Sequence, residues 1–316
     1  MTASSEISPA LPVEVPPVAP APGRRRRQAS SVRTRVAWAM VAPAGLHALF
    51  WIALPVLATF ALSVTNYSVL APLRFVGLDN YTRSFGDPIF LTSIWHTIVY
   101  TFFTVPVAMA IAVFFAVLLN QQIRARSWYR AAIFLPQVTA TVAVAMVWYQ
   151  IYDPYSGLAN KLLAFLGITG PAWLADPNYA LPSVIVMGVW QGIGIKMIIY
   201  LAALQNIPEE LDEAAELDGA NAWQRFRQIT LPMLRPATLF VGVVSIIGAF
   251  QAFDQVYVLT RGGPANATTM MTYEIYKNAF ATFQMGLACA KSVVLFVFLF
   301  ALTMLNRKLS GGGEDE

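Results

Sequence analysis

Long apolar runs alternate with polar connections along the whole chain, and they set its architecture. The runs cover approximately 36–62, 93–119, 131–152, 180–204, 236–258 and 284–306. Each is long enough to cross a bilayer as a helix, which takes about 20 apolar residues. The first three hold no Asp, Glu, Lys or Arg, and the last three hold one charge each, at Lys196, Asp254 and Lys291. Because the runs are continuously apolar and not alternating, they argue against a membrane β-barrel. Pro43, Pro55, Pro106 and Pro136 fall inside or near them. Such prolines are tolerated in a membrane bundle, where neighbouring helices re-satisfy the freed carbonyls. The pattern predicts an all-α integral membrane protein with six transmembrane helices.

The polar segments differ from one another. Residues 1–35 are rich in proline and small residues and end in arginines, so a disordered basic tail is expected there. The apolar run that follows is far longer than the roughly 7–15 residues of a signal-peptide core, which argues against a secretory leader. A six-span domain over 36–308 and a short tail, 309–316, complete the expected organisation. Between the fourth and fifth runs lies a loop, 205–235, that contains EELDEAAELDGANAWQRFRQITLP (209–232). Pro208 suits the start of a helix, and Glu209 and Glu210 follow where the helix dipole favours anions. Leu211, Ala214, Ala215 and Leu217 give that helix an apolar stripe, and Gly219 can take the positive φ that ends it. Trp223, Phe226 and Ile229 mark a second helix that Pro232 is expected to stop. A helix-turn-helix that reads DNA is disfavoured, because six carboxylates against two arginines in 209–229 repel phosphate. Two readings of the hairpin stay open: a connector lying on its own bundle, and a knob that fits a groove on a soluble partner.

Composition and charge sharpen this picture. The 316 residues are 57% hydrophobic and 12% charged, where soluble domains carry about a quarter charged residues. Fourteen lysines and arginines fall in the two tails and the second and fourth connections; five fall in the alternate connections (Arg74, Arg83, Lys161, Arg261 and Lys277). Cationic loops stay inside, so both termini and the 205–235 loop are expected in the cytoplasm. One cysteine, Cys289, leaves no internal disulfide framework. The only histidines, His47 and His96, lie in separate spans, and no HExxH or GxSxG motif is present, so neither a catalytic residue nor a metal site is expected.

The hairpin sequence also resembles the EAA signature, EAA-xxx-G-x9-I-x-LP, of permease subunits of binding-protein-dependent ABC importers. Glu213, Ala214, Ala215, Gly219, Ile229, Leu231 and Pro232 fill every fixed position. FVGLDNY (75–81), LPQVTATVAVAMVW (135–148), LQNIPEELDEAA (204–215) and FDQVYVLTRGGP (253–264) resemble the sugar-type branch, which includes maltose and glycerol-3-phosphate permease subunits. The resemblance covers nearly all of 36–308 and implies the type I importer permease fold in a bacterial plasma membrane. It further implies a second permease subunit in a heterodimer, two nucleotide-binding ATPase subunits, an extracytoplasmic solute-binding protein and a small-molecule solute, with membrane lipid around the spans and no nucleic acid. ATP and Mg would be bound by those partners; this chain has no GxxxxGK[ST] phosphate loop. In the family the EAA loop forms coupling helices seated in a cleft of the ATPase, which makes Glu213 the candidate for an ion pair to that subunit and Gly219 the turn that sets the hairpin angle.

Candidates for the translocation path come from two sources. Ionisable groups in a bilayer usually face a bundle interior or a cavity, which marks Lys196 and Asp254. Asp254 as an interfacial charge and Lys196 as a structural partner of another helix are equal alternatives, and Lys291 reads as structural or interfacial. A sugar site needs hydrogen-bonding groups beside aromatic faces, which Trp190, Gln191, Ser245, Gln251, Phe253 and Tyr257 supply. Counted from the EAA and GGP landmarks, the sugar-lining positions of maltose-type members fall on Gly188, Gln191, Gly192, Ile195, Ser245, Ala249 and Ala252. Several of these are small or apolar, so the polar contacts are only partly reproduced. Gly188 and Gly192 also form a GxxxG pair, whose alternative is close helix packing. An autonomous secondary transporter is the competing class, although Asp254 would be its only intramembrane carboxylate.

Overall fold

The computed structural model describes residues 25–68, 72–121 and 123–310, with backbone alone for 25–35 and 305–310. The tail segments 1–24 and 311–316 lie outside the described residues. The chain divides into two units, 1–57 and 58–316. In the first, α1 (Arg25–Ala48) begins eleven residues before the expected start of the span. Nothing from Arg25 to Arg35 breaks a helix, and arginine, alanine and glutamine favour one. A widened π-helical turn, Leu49–Ala53, joins α1 to α2 (Leu54–Ser63).

In the second unit, the FVGLDNY segment ties the chain after α2 to α3 (Asp79–Gly86). Asn80 is buried and its amide donates to the carbonyls of Ser63 at 2.8 Å and Thr65 at 2.7 Å. The Tyr81 hydroxyl meets Ser63 Oγ at 2.7 Å. The longest helix follows, α4 (Pro88–Asn120), started by Pro88 and capped by Asp87, whose carboxylate accepts from Ile89 N at 2.9 Å.

The third expected span is corrected by the structure. Residues 131–152 are not one helix but parts of α5 (Arg126–Val138) and α6 (Thr141–Ile151), bent by 99° at Thr139 and Ala140. The helix runs through Pro136 to Val138, and the chain turns where Thr139 (ψ 138°) and Ala140 (ψ 128°) leave helical backbone. By length and composition, the described helices give five continuous candidate spans, or six if this bent pair crosses as one. The short α7 (Leu158–Phe165) leads to α8 (Pro177–Leu204), capped by Asp176.

α4 and α8 form the centre of the unit. Ala108, Ala112 and Ala116 recur every four residues on α4, are fully buried, and let α8 approach with Met197 and Tyr200. A Cβ on Gly194 of α8 would stand 2.7 Å from the Ile133 carbonyl oxygen and 2.9 Å from Phe134 Cα, so glycine permits the crossing with α5. Small residues at helix contacts are how membrane bundles pack without a hydrophobic drive between helices.

Beyond α8 come α9 (Glu209–Leu217) and α10 (Ala222–Arg225), a second π-helical turn (Phe226–Thr230) and α11 (Leu231–Met233). Pro232 therefore does not stop the second hairpin helix as expected. The chain stays helical, because Leu231 N–H reaches back five residues to Phe226 O in the widened turn. α12 (Arg235–Phe250) and α13 (Asp254–Leu259) make the fifth span, broken at 251–253. α14 (Met271–Tyr276) and α15 (Met285–Ser310) end the described chain. The RGGP turn uses left-handed backbone at Arg261 (φ 51°) and Gly262 (φ 80°), closed by Thr268 Oγ1 donating to Gly263 O at 2.8 Å.

Candidate coupling loop and translocation path

The 205–235 loop is built as a projecting hairpin. α9 starts after Pro208, with Glu209, Glu210 and Asp212 in its first turn. Gly219 has φ +82°, and its N–H donates to Glu216 O at 3.0 Å, ending α9 as the sequence leads one to expect. Asn221 and Gln224 form a capping box at the start of α10, each side chain bonded to the other's backbone N–H, at 2.9 and 2.8 Å. Arg225 closes the hairpin from the second helix onto the first. Its guanidinium pairs with Asp212 at 3.5 Å and with Glu216.

None of the α9 residues is buried, and the apolar tips are bare: Leu217 is 90% exposed and Trp223 66%. Glu213, Ala214, Leu231 and Pro232 are exposed; Ala215, Gly219 and Ile229 lie on the same projection, with Ala215 and Ile229 half-buried. Behind them, the hairpin and the end of α4 enclose a cleft of about 540 Å³ lined by Glu209, Asp212, Glu213 and Glu216. An exposed apolar tip beside an acidic cleft suits a basic, concave partner surface.

The path candidates divide by helix face. On α8, Gly188 and Gln191 are buried; Gln191 donates to Thr141 Oγ1 at 3.1 Å, so it bridges to the start of α6 just past the bend. A Cβ on Gly188 would collide with the Tyr100 hydroxyl of α4. Trp190 points elsewhere: it is 42% exposed, packs edge-on against Trp148 at 5.6 Å, and lines an apolar groove with Phe103 and Val186. Gly192, Ile195 and Lys196 continue the Gly188 stripe, and the Lys196 ammonium donates to Gly192 O at 2.9 Å. On the fifth span Ala249 and Ala252 are buried, Ser245 is half-buried, and Gln251 and Asp254 are exposed at the break between α12 and α13. Phe253 stacks on Tyr257 at 5.3 Å and meets Tyr276 at 5.0 Å, an aromatic cluster beside that break.

Sequence reading missed one charged cluster. Lys291 of α15 is fully buried and paired at 3.0 Å with both Asp87 Oδ2 and Glu274 Oε1, above the Phe90 ring at 5.0 Å. Asn278 donates to Glu274 Oε1 at 2.6 Å. Burial pushes Asp87 up, but the hydrogen bond from Lys291 and those from backbone N–H groups outweigh it and hold its carboxyl below the usual range. The partners lie 204 and 17 residues away in sequence, in connections and not in spans, so no periodicity links them.

Comparison with known proteins now decides the family. Residues 88–311 match the model of the binding-protein-dependent transport system inner membrane component. The chain belongs to this family. Its curated relatives include the arabinooligosaccharides transport system permease protein AraP of Bacillus subtilis, 33% identical over 87% of this chain and 88% of the relative. The trehalose/maltose transport system permease protein MalF of Thermococcus litoralis is 33% identical over 89% of this chain and 95% of the relative. The lactose transport system permease protein LacF of Rhizobium radiobacter is 35% identical over 85% of this chain and 92% of the relative. In fold, this inner membrane component resembles a chain of a bacterial alginate ABC transporter crystallised with an alginate pentasaccharide-bound periplasmic protein. The TM-score is 0.81 at 22% identity, covering 90% of this chain and 97% of the other. It is therefore a membrane-embedded permease of the ABC importer type, and the autonomous carrier is set aside.

Proposed function

We propose that this permease forms half of the translocation path for a sugar or a related polyol or glycerophosphate solute, and that the α9–α10 hairpin receives the work of ATP hydrolysis. The chain itself carries no chemistry. Two ATPase subunits bind ATP and Mg and hydrolyse the nucleotide, a second and different permease subunit completes the path, and an extracytoplasmic solute-binding protein delivers the ligand. The chain sits in a bacterial plasma membrane with both termini in the cytoplasm, which puts the hairpin on the ATPase side. Sugar transport is supported by its 33–35% identical relatives, which are named as arabinooligosaccharide, trehalose/maltose and lactose permeases.

One observation carries the coupling role: the hairpin that fills the EAA signature is capped, closed by Arg225 onto Asp212 and Glu216, and leaves Glu213, Leu217 and Trp223 exposed. A lever must be stiff within itself and bare where it is gripped. Glu213 is one of these exposed residues and supplies the ion pair to an ATPase cation. Glu213→Arg reverses this charge without touching the bundle, so membrane insertion persists while ATP-driven uptake in vesicles falls at least tenfold. Wild-type uptake by that variant would falsify the docking role.

A further inference from the structure

Lys196 is a buried cation with no counter-charge in ion-pairing distance among the described residues. It stands eight residues before the end of α8, and a lysine so placed ordinarily runs its stem to the nearer interface. Here the ammonium turns the opposite way, one turn deeper, onto the carbonyl of Gly192 at 2.9 Å, and the residue is only 9% exposed. Glycine makes the room: a Cβ at 192 would lie 2.9 Å from Nζ. Among the described residues, every ion pair belongs to Arg225 or Lys291, and no carboxylate lies within 4.0 Å of Lys196. Neither α4, α5, α6 nor α12, the helices around α8, carries an Asp or Glu. α13 carries Asp254, exposed and without an ion pair. Lys291 shows the contrast, since the same fold gives that buried lysine two carboxylates and an aromatic face.

We propose that Lys196 receives an acidic group of the transported solute, so that the permease selects anionic sugars or polyols over neutral ones. The inference rests on the importer reading above and names the substrate class of that same path. An isolated ion inside a protein costs several kcal/mol, and an arriving carboxylate or phosphate offsets that cost for as long as it is bound. A permanent internal partner would occupy the donors that the solute has to find. The ammonium has three donors and spends one on its own helix, which leaves two for the ligand.

The test uses the whole transporter, with its own second permease, ATPases and binding protein, in proteoliposomes supplied with ATP. Radiolabelled trigalacturonate, glycerol 3-phosphate and maltotriose are the probes, so that carboxylate, phosphate and neutral solutes are read separately. Wild type is expected to take up at least one anionic probe in preference to maltotriose. Lys196→Met lowers that uptake at least tenfold with the complex still assembled by size exclusion, and Lys196→Arg retains most of it. Preference for maltotriose, uptake of neither anion, or anionic uptake unaffected by Lys196→Met each overturns the proposal. Equal loss of anionic and neutral uptake in Lys196→Met also overturns it, since the counter-charge would then belong to the second permease. Uptake that proceeds without ATP would instead sink the importer reading.

Discussion

Single side chains decide where this chain can afford charge. Lys291, Glu274 and Asp87 show a buried cation satisfied from two other segments of the chain, at 3.0 Å on both sides. Removing one member of such a group leaves the rest uncompensated, which costs about 3–5 kcal/mol. Lys291→Met is therefore expected to lower the melting temperature of the purified complex sharply. The double variant Lys291→Met with Glu274→Gln should recover part of the loss, because it removes the stranded buried carboxylate as well. A single variant as stable as wild type would show the cluster to be decorative. Asp87 adds a pH signature. Its carboxyl is held below its ordinary value of 3.8 when folded, so its stabilisation is fully present above that pH and is lost as pH falls through the lowered value. Wild type and Asp87→Asn should thus diverge in melting temperature above about pH 4 and converge in stronger acid.

Helices here continue through proline where the turn before it widens. Two Leu-Pro pairs illustrate it: Leu54 donates five residues back to Leu49 O before Pro55, and Leu231 does the same to Phe226 O before Pro232. The widened turn absorbs the proline, so a residue that reads as a helix stop in sequence becomes a continuation. The 99° break at Thr139 and Ala140 also went unread. Hydropathy counts apolar residues and is blind to the direction of the chain, so α5 and α6 looked like one span. The hairpin was legible because its grammar is local: Pro208 and Gly219 act on neighbours within four residues, whereas the equally local Asn221 cap went unread. Gly219 gives the next prediction. Proline is locked near φ −65° and cannot take +82°, so Gly219→Pro must re-aim α10 against α9. In reconstituted vesicles, ATP hydrolysis should persist while solute uptake per ATP falls severalfold. Unchanged stoichiometry would show that the hairpin angle does not matter.

For the molecule as a whole, sequence legibility followed the same division between local and distant information. Spans, hairpin and family signature rest on residues near one another in the chain. The Lys291 partners, the Gln191–Thr141 bridge and the outward turn of Trp190 depend on which helices meet, and hydropathy holds nothing of that. Orientation lies between the two, since the cation asymmetry of the loops is written in the sequence but acts on the chain during membrane insertion. The importer reading requires the acidic hairpin to face the compartment that holds ATP, and one position reports this directly. Glu216 lies on α9 with its side chain 71% exposed, and its bond to Arg225 is one of two that guanidinium makes. In a background with Cys289, the only native cysteine, replaced by alanine, Glu216→Cys places a single thiol on the hairpin. A membrane-impermeant maleimide added to intact cells should leave it unlabelled, and the same reagent added to inside-out vesicles should label it fully. Adding the ATPase subunits to those vesicles should slow the labelling severalfold, because the docked partner covers α9. Labelling of intact cells would invert the topology and remove the physical basis for coupling through this loop.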